Sequence, residues 1–208
     1  MSTRERIVDE ALTLFSTKGY AGTTVRDIAK AVGIRDASLY KHFPSKRAIF
    51  DVCTNDMSGR MGQLGRRLGI LAGDKASLSR ASVDLETLRA ITREAFLFYL
   101  EDPFASRYRR MLELARHDVP ELASLYRNLF MDQAVSYLSA LLARDPIVAV
   151  RGEDAREMAL EYYAVFFFLL CRYDQDEAGR DEALALLDAH VRAFARNYGF
   201  TGGVASDG

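Results

Sequence analysis

Apolar side chains recur every three or four residues along almost the whole chain, and no stretch sustains the alternation in twos that a strand needs. The first helix opens on Ser2-x-x-Glu5, a capping-box signature, and carries Ile7, Ala11, Leu14 and Phe15 as its buried stripe before Gly19 ends it. Thr24 with Asp27 repeats the capping signal, and Val25, Ile28, Ala29 and Val32 make the stripe of a second helix. Gly33 supplies a turn. Ile34, Ala37, Leu39 and Phe43 then face inward on a third helix, which Phe43-Pro44 closes. A fourth helix is predicted over 45–71, with Ile49, Cys53, Met57, Met61, Leu64 and Leu68 in line, followed by a loop near 73–79. Further helices are predicted over 84–101, 103–116, 120–143, 154–173 and 178–198, with breaks at Pro103, Pro120, Pro146 and Asp174, and 202–208 reads as a frayed tail.

Composition fits a folded globular chain: of 208 residues, 49% are apolar and 27% charged. The formal charge of -1 conceals an asymmetry that matters more. Residues 1–50 hold nine Lys and Arg against five Asp and Glu, while the remainder is acidic. A basic end on an acidic body points to a nucleic-acid-facing module carried by something with another task. Cys53 and Cys171 form neither a disulfide framework nor a metal-like spacing, and both read as inert packing residues. His117 and His190 are isolated, so no metal site and no cofactor are expected. The N-terminus is charged from its fourth residue, and the most apolar run, 158–171, is well short of the roughly 20 residues that cross a bilayer. A cytoplasmic protein with no membrane partner is expected. An enzyme is disfavoured, because no paired nucleophile and base, metal cluster or phosphate loop is present.

The third helix divides its residues between two tasks. With the inner set pinned, Arg35, Ser38, Tyr40, Lys41 and His42 are free to meet a duplex. Lys and Arg reach guanine edges or phosphates, and Tyr packs on a thymine methyl or donates to a phosphate. A solvated helix face is the alternative for a few basic residues alone. Two features weigh against it. Thr24 offers a hydroxyl and free N–H groups at a helix start. Lys46 and Arg47 stand in a first turn, where the helix dipole disfavours cations unless an anion is near.

Over residues 3 to 50, with the runs FSTKGY, TTVRDIAKAVGI and SLYKHFPSK, the chain resembles the TetR/AcrR family of bacterial transcriptional regulators. The resemblance implies an all-α fold of about nine helices: an N-terminal three-helix helix-turn-helix DNA-binding domain at 1–46 and a helical ligand-binding and dimerisation domain at 47–208. It implies that Thr24, Arg26, Ser38, Tyr40, Lys41, His42 and Lys46 stand where the family contacts operator DNA. Arg35-Asp36 departs from the family's commoner pair. Asp36, unfavourable beside phosphates, is expected to cap helix three or to hold Arg35.

Beyond residue 51 the resemblance is architectural only, and implies a homodimer and a small-molecule effector. Leu184, Leu187, Val191, Phe194 and Tyr198 recur at three and four, a coiled-coil-like seam for the dimer interface. The run ALEYYAVFFFLLCRY before it is apolar nearly all round, and must be covered by the core, a partner or both. Phe96, Tyr99, Met111, Tyr126, Phe130, Tyr163 and Phe167 are the candidates to line an effector pocket, with ordinary core packing as the alternative for each. Gly59, Gly62, Gly65 and Gly69 fall along one face of helix four, for close packing or as a soft link between the parts. The function expected is a ligand-responsive regulator, by default a repressor, on an inverted-repeat operator. Its rival is a ligand-independent DNA-binding protein of the same fold.

Overall fold

The first helices begin where polar side chains satisfy backbone N–H groups that have no partner inside the helix. In α1 (Thr3–Lys18) the Ser2 hydroxyl accepts from the Glu5 N–H at 3.2 Å, and the Glu5 carboxylate accepts from the Ser2 N–H at 2.7 Å. The computed structural model describes residues 1–68, 85–145, 148 and 152–200. The predicted loop at 73–79, Gly69, Pro146 and the tail at 202–208 lie outside the described residues. Then come α2 (Val25–Val32), α3 (Asp36–Tyr40), α4 (Lys46–Arg67), α5 (Leu85–Glu101), α6 (Pro103–Ala115) and α7 (Pro120–Arg127). A π-helical turn (Asn128–Asp132) precedes α8 (Gln133–Leu142), α9 (Ala155–Arg172) and α10 (Arg180–Tyr198). The fold is all-helical, and no strand occurs among the described residues.

The helices pack as two compact units: Met1–Leu64 with Glu101–Asn128, and Gly65–Leu100 with Leu129–Gly208. In the first, α1 lies on α2 and, more extensively, on α6. Ile7, Ala11, Leu12 and Phe15 are buried with Ile28, Ala29, Leu39, Ile49, Phe50, Cys53 and Met57. Leu12 is the residue enclosed, whereas Leu14, predicted for the stripe, is only half-buried. Arg107 ties α6 to α1, donating to Asp9 at 2.7 Å and to the Thr13 hydroxyl at 2.6 Å. The Tyr108 hydroxyl donates to Thr54 of α4 at 3.1 Å. These contacts carry the packing unit past residue 46, so compactness does not end where the functional division expected from the sequence falls.

The second unit has its core where α9 meets α8 and α10. Tyr162, Met158 and Ala159 meet Leu88, Leu142, Val191 and Phe194, and further along Phe166, Leu169 and Leu170 meet Phe96, Ala183 and Leu187. The Tyr162 hydroxyl is hydrogen-bonded to Thr92, and burial pushes its pKa up. The helix predicted over 120–143 is interrupted. Its ladder widens to a π turn at Asn128–Asp132, where the Tyr163 hydroxyl donates to the Phe130 carbonyl at 2.7 Å.

Helix four begins at Lys46, with the Ser45 hydroxyl accepting from the Ala48 N–H at 3.1 Å. A side chain added at Gly59 would meet open space, so close packing does not explain that glycine. Cys53 is enclosed, and desolvation pushes its thiol pKa up to about 12.

Candidate nucleic-acid interface

The path from α2 to α3 is fixed by three local devices. Thr24 caps α2: its hydroxyl accepts from the Asp27 N–H at 3.1 Å, and Asp27 accepts from the Thr24 N–H at 2.9 Å. These bonds to Thr24 hold the Asp27 carboxyl below its ordinary pKa. Gly33 takes the left-handed conformation (φ 77°, ψ 33°), which a residue with a Cβ adopts only with strain. The chain then turns into α3, where Leu39 and Phe43 are buried against the first two helices and the Arg4 guanidinium covers the Phe43 ring at 4.7 Å.

With those two side chains inward, the opposite side of α3 is open. Arg35, Tyr40, Lys41 and His42 are exposed as expected, Tyr40 to 53%, and Ser38 is half-buried. Ala37 was expected inside and is exposed, because α3 is only five residues long and Leu39 and Phe43 alone anchor it. The result is a short helix with a small residue at its centre and cationic groups beyond, a shape that fits the major groove.

Two expectations are corrected at the edges of this surface. Lys46 donates to the carbonyls of Tyr20 at 2.6 Å and Thr23 at 2.8 Å, and its ammonium stands 4.3 Å from the centre of the Tyr20 ring. It fastens the loop before α2 to the start of α4, and burial holds its pKa below the usual lysine range. Arg47 pairs with Asp51 at 2.8 Å. The two cations in this first turn therefore have partners inside the protein, and no phosphate is needed to explain them. Asp36 neither caps α3, whose N-cap Arg35 makes no side-chain cap bond, nor holds Arg35; its carboxylate lies 3.5 Å from Arg26 of α2.

The expected pocket residues do not form one set. Met111 and Tyr126 are buried in the first unit, and Phe96 and Phe130 in the second. Tyr99, Tyr163 and Phe167 are partly buried in the second unit, where Tyr99 meets the Phe130 ring edge-on at 5.7 Å between centres. A cleft of about 340 Å³ runs between α5 and α10, floored by Ala90, Leu184, Leu187 and Val191, and none of the seven lines it.

Most of the expected dimer seam is turned inward, Leu184 and Tyr198 being half-buried. Leu187, Val191 and Phe194 are at most 2% exposed within a single copy, so they have no surface to offer a second one. The outward apolar residues of these helices include Leu160, Ala164 and Phe168 on α9 and Ala185, Leu186 and Ala189 on α10, with Phe168 64% exposed. The seam residues are the apolar stripe of α10, which periodicity marks as covered without telling whether the core or a second copy covers it.

A glycine turn between two helices, the second exposed and cationic, defines a helix-turn-helix of the DNA-binding class. Residues 7–53 match the sequence profile of bacterial regulatory proteins of the tetR family. The biofilm operon icaADBC negative transcriptional regulator IcaR of Staphylococcus aureus is 58% identical over 48 residues, which span 23% of this chain and 26% of that protein. Such relatives are regulators of transcription. MexZ of Pseudomonas aeruginosa, a key repressor responsible for antibiotic resistance, has the same fold (TM-score 0.68, 20% identity, 97% of this chain and 96% of that one). So does FadR of Bacillus subtilis, solved in complex with stearoyl-CoA (TM-score 0.61, 18% identity, 91% and 96%). Among the described residues no helix is long and apolar enough to cross a membrane, and no group of three or more His, Cys, Asp or Glu could hold a metal ion.

Proposed function

We propose that the protein is a ligand-responsive transcriptional repressor, with residues 1–46 contacting DNA and 47–208 sensing an effector and holding two copies together. The homodimer binds an inverted-repeat operator with half-site centres roughly 34–36 Å apart, or somewhat wider. A small, largely hydrophobic effector lowers operator affinity by binding more tightly to a state that fits the operator poorly. The observation that carries this reading is the exposed face of α3, with Arg35, Tyr40, Lys41 and His42 around the small Ala37. Repression is supported by the negative regulators among the relatives. An apolar effector is supported by the stearoyl-CoA held by a protein of the same fold. The dimer is supported by the outward Leu160, Phe168 and Leu186.

Fluorescence anisotropy on a duplex carrying the inverted repeat nearest the protein's own promoter tests the reading, with stearoyl-CoA as the first probe. Operator affinity is expected to exceed that for random DNA by roughly a thousandfold or more, and to fall on adding the probe. Equal affinity for both duplexes would rule out an operator-binding regulator. A second reading, a DNA-binding protein that answers to no effector, is favoured by the packing of Phe96, Met111, Tyr126 and Phe130, each at most 1% exposed. Operator affinity indifferent to a panel of acyl and aromatic ligands would select it.

A further inference from the structure

Asp36 is used differently from the other acidic residues around it. Glu5 and Asp27 cap helices, Asp9 accepts from Arg107 at 2.7 Å, and Asp51 accepts from Arg47 at 2.8 Å. Asp36 stands in the first turn of α3, on the face that is otherwise cationic. Its side chain is 46% exposed, and its partner Arg26, at 3.5 Å, is 86% exposed. Among the described residues it makes no other ion pair or hydrogen bond. A pair so open to water adds little to stability. The helix dipole favours an acid in this first turn, but a carboxylate on a surface that has to approach phosphates carries a cost that calls for a further reason.

The neighbouring residues supply one. Ala37 is exposed and ends at its Cβ, so the backbone of α3 can come close to the floor of a groove. Asp36 and Tyr40 are four residues apart and share a ridge of the helix, so a groove that admits α3 would meet both along the same stretch. A carboxylate there can only accept. Guanine presents N7 and O6 and thymine presents O4, all acceptors that repel it, and adenine sets N7 beside its amino group. Cytosine alone presents an amino group with no acceptor next to it on the same base.

We propose that Asp36 reads a cytosine N4 amino group at one position of each half-site, and that Arg26 is its positioning residue. This rests on the DNA-binding reading above. The Arg26 Nε lies 3.5 Å from the Asp36 carboxylate, and its remaining guanidinium N–H groups are open to a neighbouring phosphate. The pairing also offsets the repulsion between the carboxylate and the DNA backbone.

Selection of binding sites from a random duplex library, with the full chain and its Asp36→Asn variant, tests this. The amide has nearly the shape of the carboxylate but both donates and accepts, which suits adenine N6 and N7. Wild-type protein is expected to select cytosine at one position of each half-site. D36N is expected to select adenine there, each by roughly tenfold, with flanking positions unchanged. Asp36→Ala should lose the preference without gaining adenine. If D36N keeps the wild-type motif, with affinity unchanged or raised for every sequence, Asp36 reads no base and the proposal is overturned. Retention of cytosine by D36A overturns it equally. A wild-type protein that selects no motif would overturn the DNA-binding reading and this inference together, whereas a wild-type motif indifferent to Asp36 overturns this inference alone.

Discussion

The helix α3 and the last helix α10 both combine residues that pin a helix with residues turned outward, yet their outer faces are marked very differently. On α3 the outside is written in charge and hydroxyls: Arg35, Tyr40, Lys41 and His42 stand out against the inward Leu39 and Phe43. On α9 and α10 apolar residues stand on both sides, although charged ones such as Glu161, Asp181 and Arg192 share the outside. The inward set is Leu187, Val191 and Phe194, and the outward set is Leu186, Leu160 and Phe168. A surface meant for phosphates has to differ chemically from a core, whereas one that suits a second copy can look like more core. Periodicity finds a helix in both cases and finds the working face only in the first.

The comparison is broken most severely by truncating an inward residue. Phe194→Ala removes a ring that contacts Tyr162, Tyr198 and Phe200, and should destabilise the protein by about 3–5 kcal/mol. Urea unfolding at several protein concentrations measures it, and a loss under about 1 kcal/mol would mean that the inward assignment is wrong. Phe168→Arg should do the opposite, leaving the folded unit intact while raising the dimer dissociation constant tenfold or more, in keeping with a loss of about 2 kcal/mol at an interface centre. Sedimentation velocity reads it; an unchanged profile would take the outward stripe out of the interface.

On the DNA-binding side, Lys46→Ala leaves the Tyr20 and Thr23 carbonyls without their donor and should cost about 1 kcal/mol of stability. The salt dependence of DNA binding should change by well under the roughly 0.9 expected for a lost phosphate contact. A full unit of slope would return Lys46 to the DNA surface. The smallest effect is expected at Gly59, where a methyl group meets nothing: Gly59→Ala should stabilise α4 by up to about 1 kcal/mol, visible as a rise in melting temperature.

What was legible from the sequence follows the distance over which each feature is determined. Ser2 with Glu5, Thr24 with Asp27, and Gly33 are settled within four residues of chain, and the structure has them as expected. Helix ends at 101, 103, 120 and 198 follow from Pro and Gly nearby. Features set by distant partners were not readable. The carbonyls that hold Lys46 are 23 and 26 residues away, and Arg26 reaches Asp36 across the turn. The π turn at Asn128–Asp132 leaves no compositional mark, because its Phe130 carbonyl is met by Tyr163 from another helix. Leu12 rather than Leu14 is enclosed, and the two leucines stand on different sides of α1.

The enclosure of Cys53 has a use beyond packing. A thiol held to about 12 and sealed from water does not react with an alkylating reagent at neutral pH while the first unit is closed, whereas Cys171 is exposed. The slow phase of labelling is then a record of how often the first unit opens. Run with and without a duplex, it reports in one mass spectrum whether a bound operator steadies the unit that grips it, with no dye or tag added to the chain.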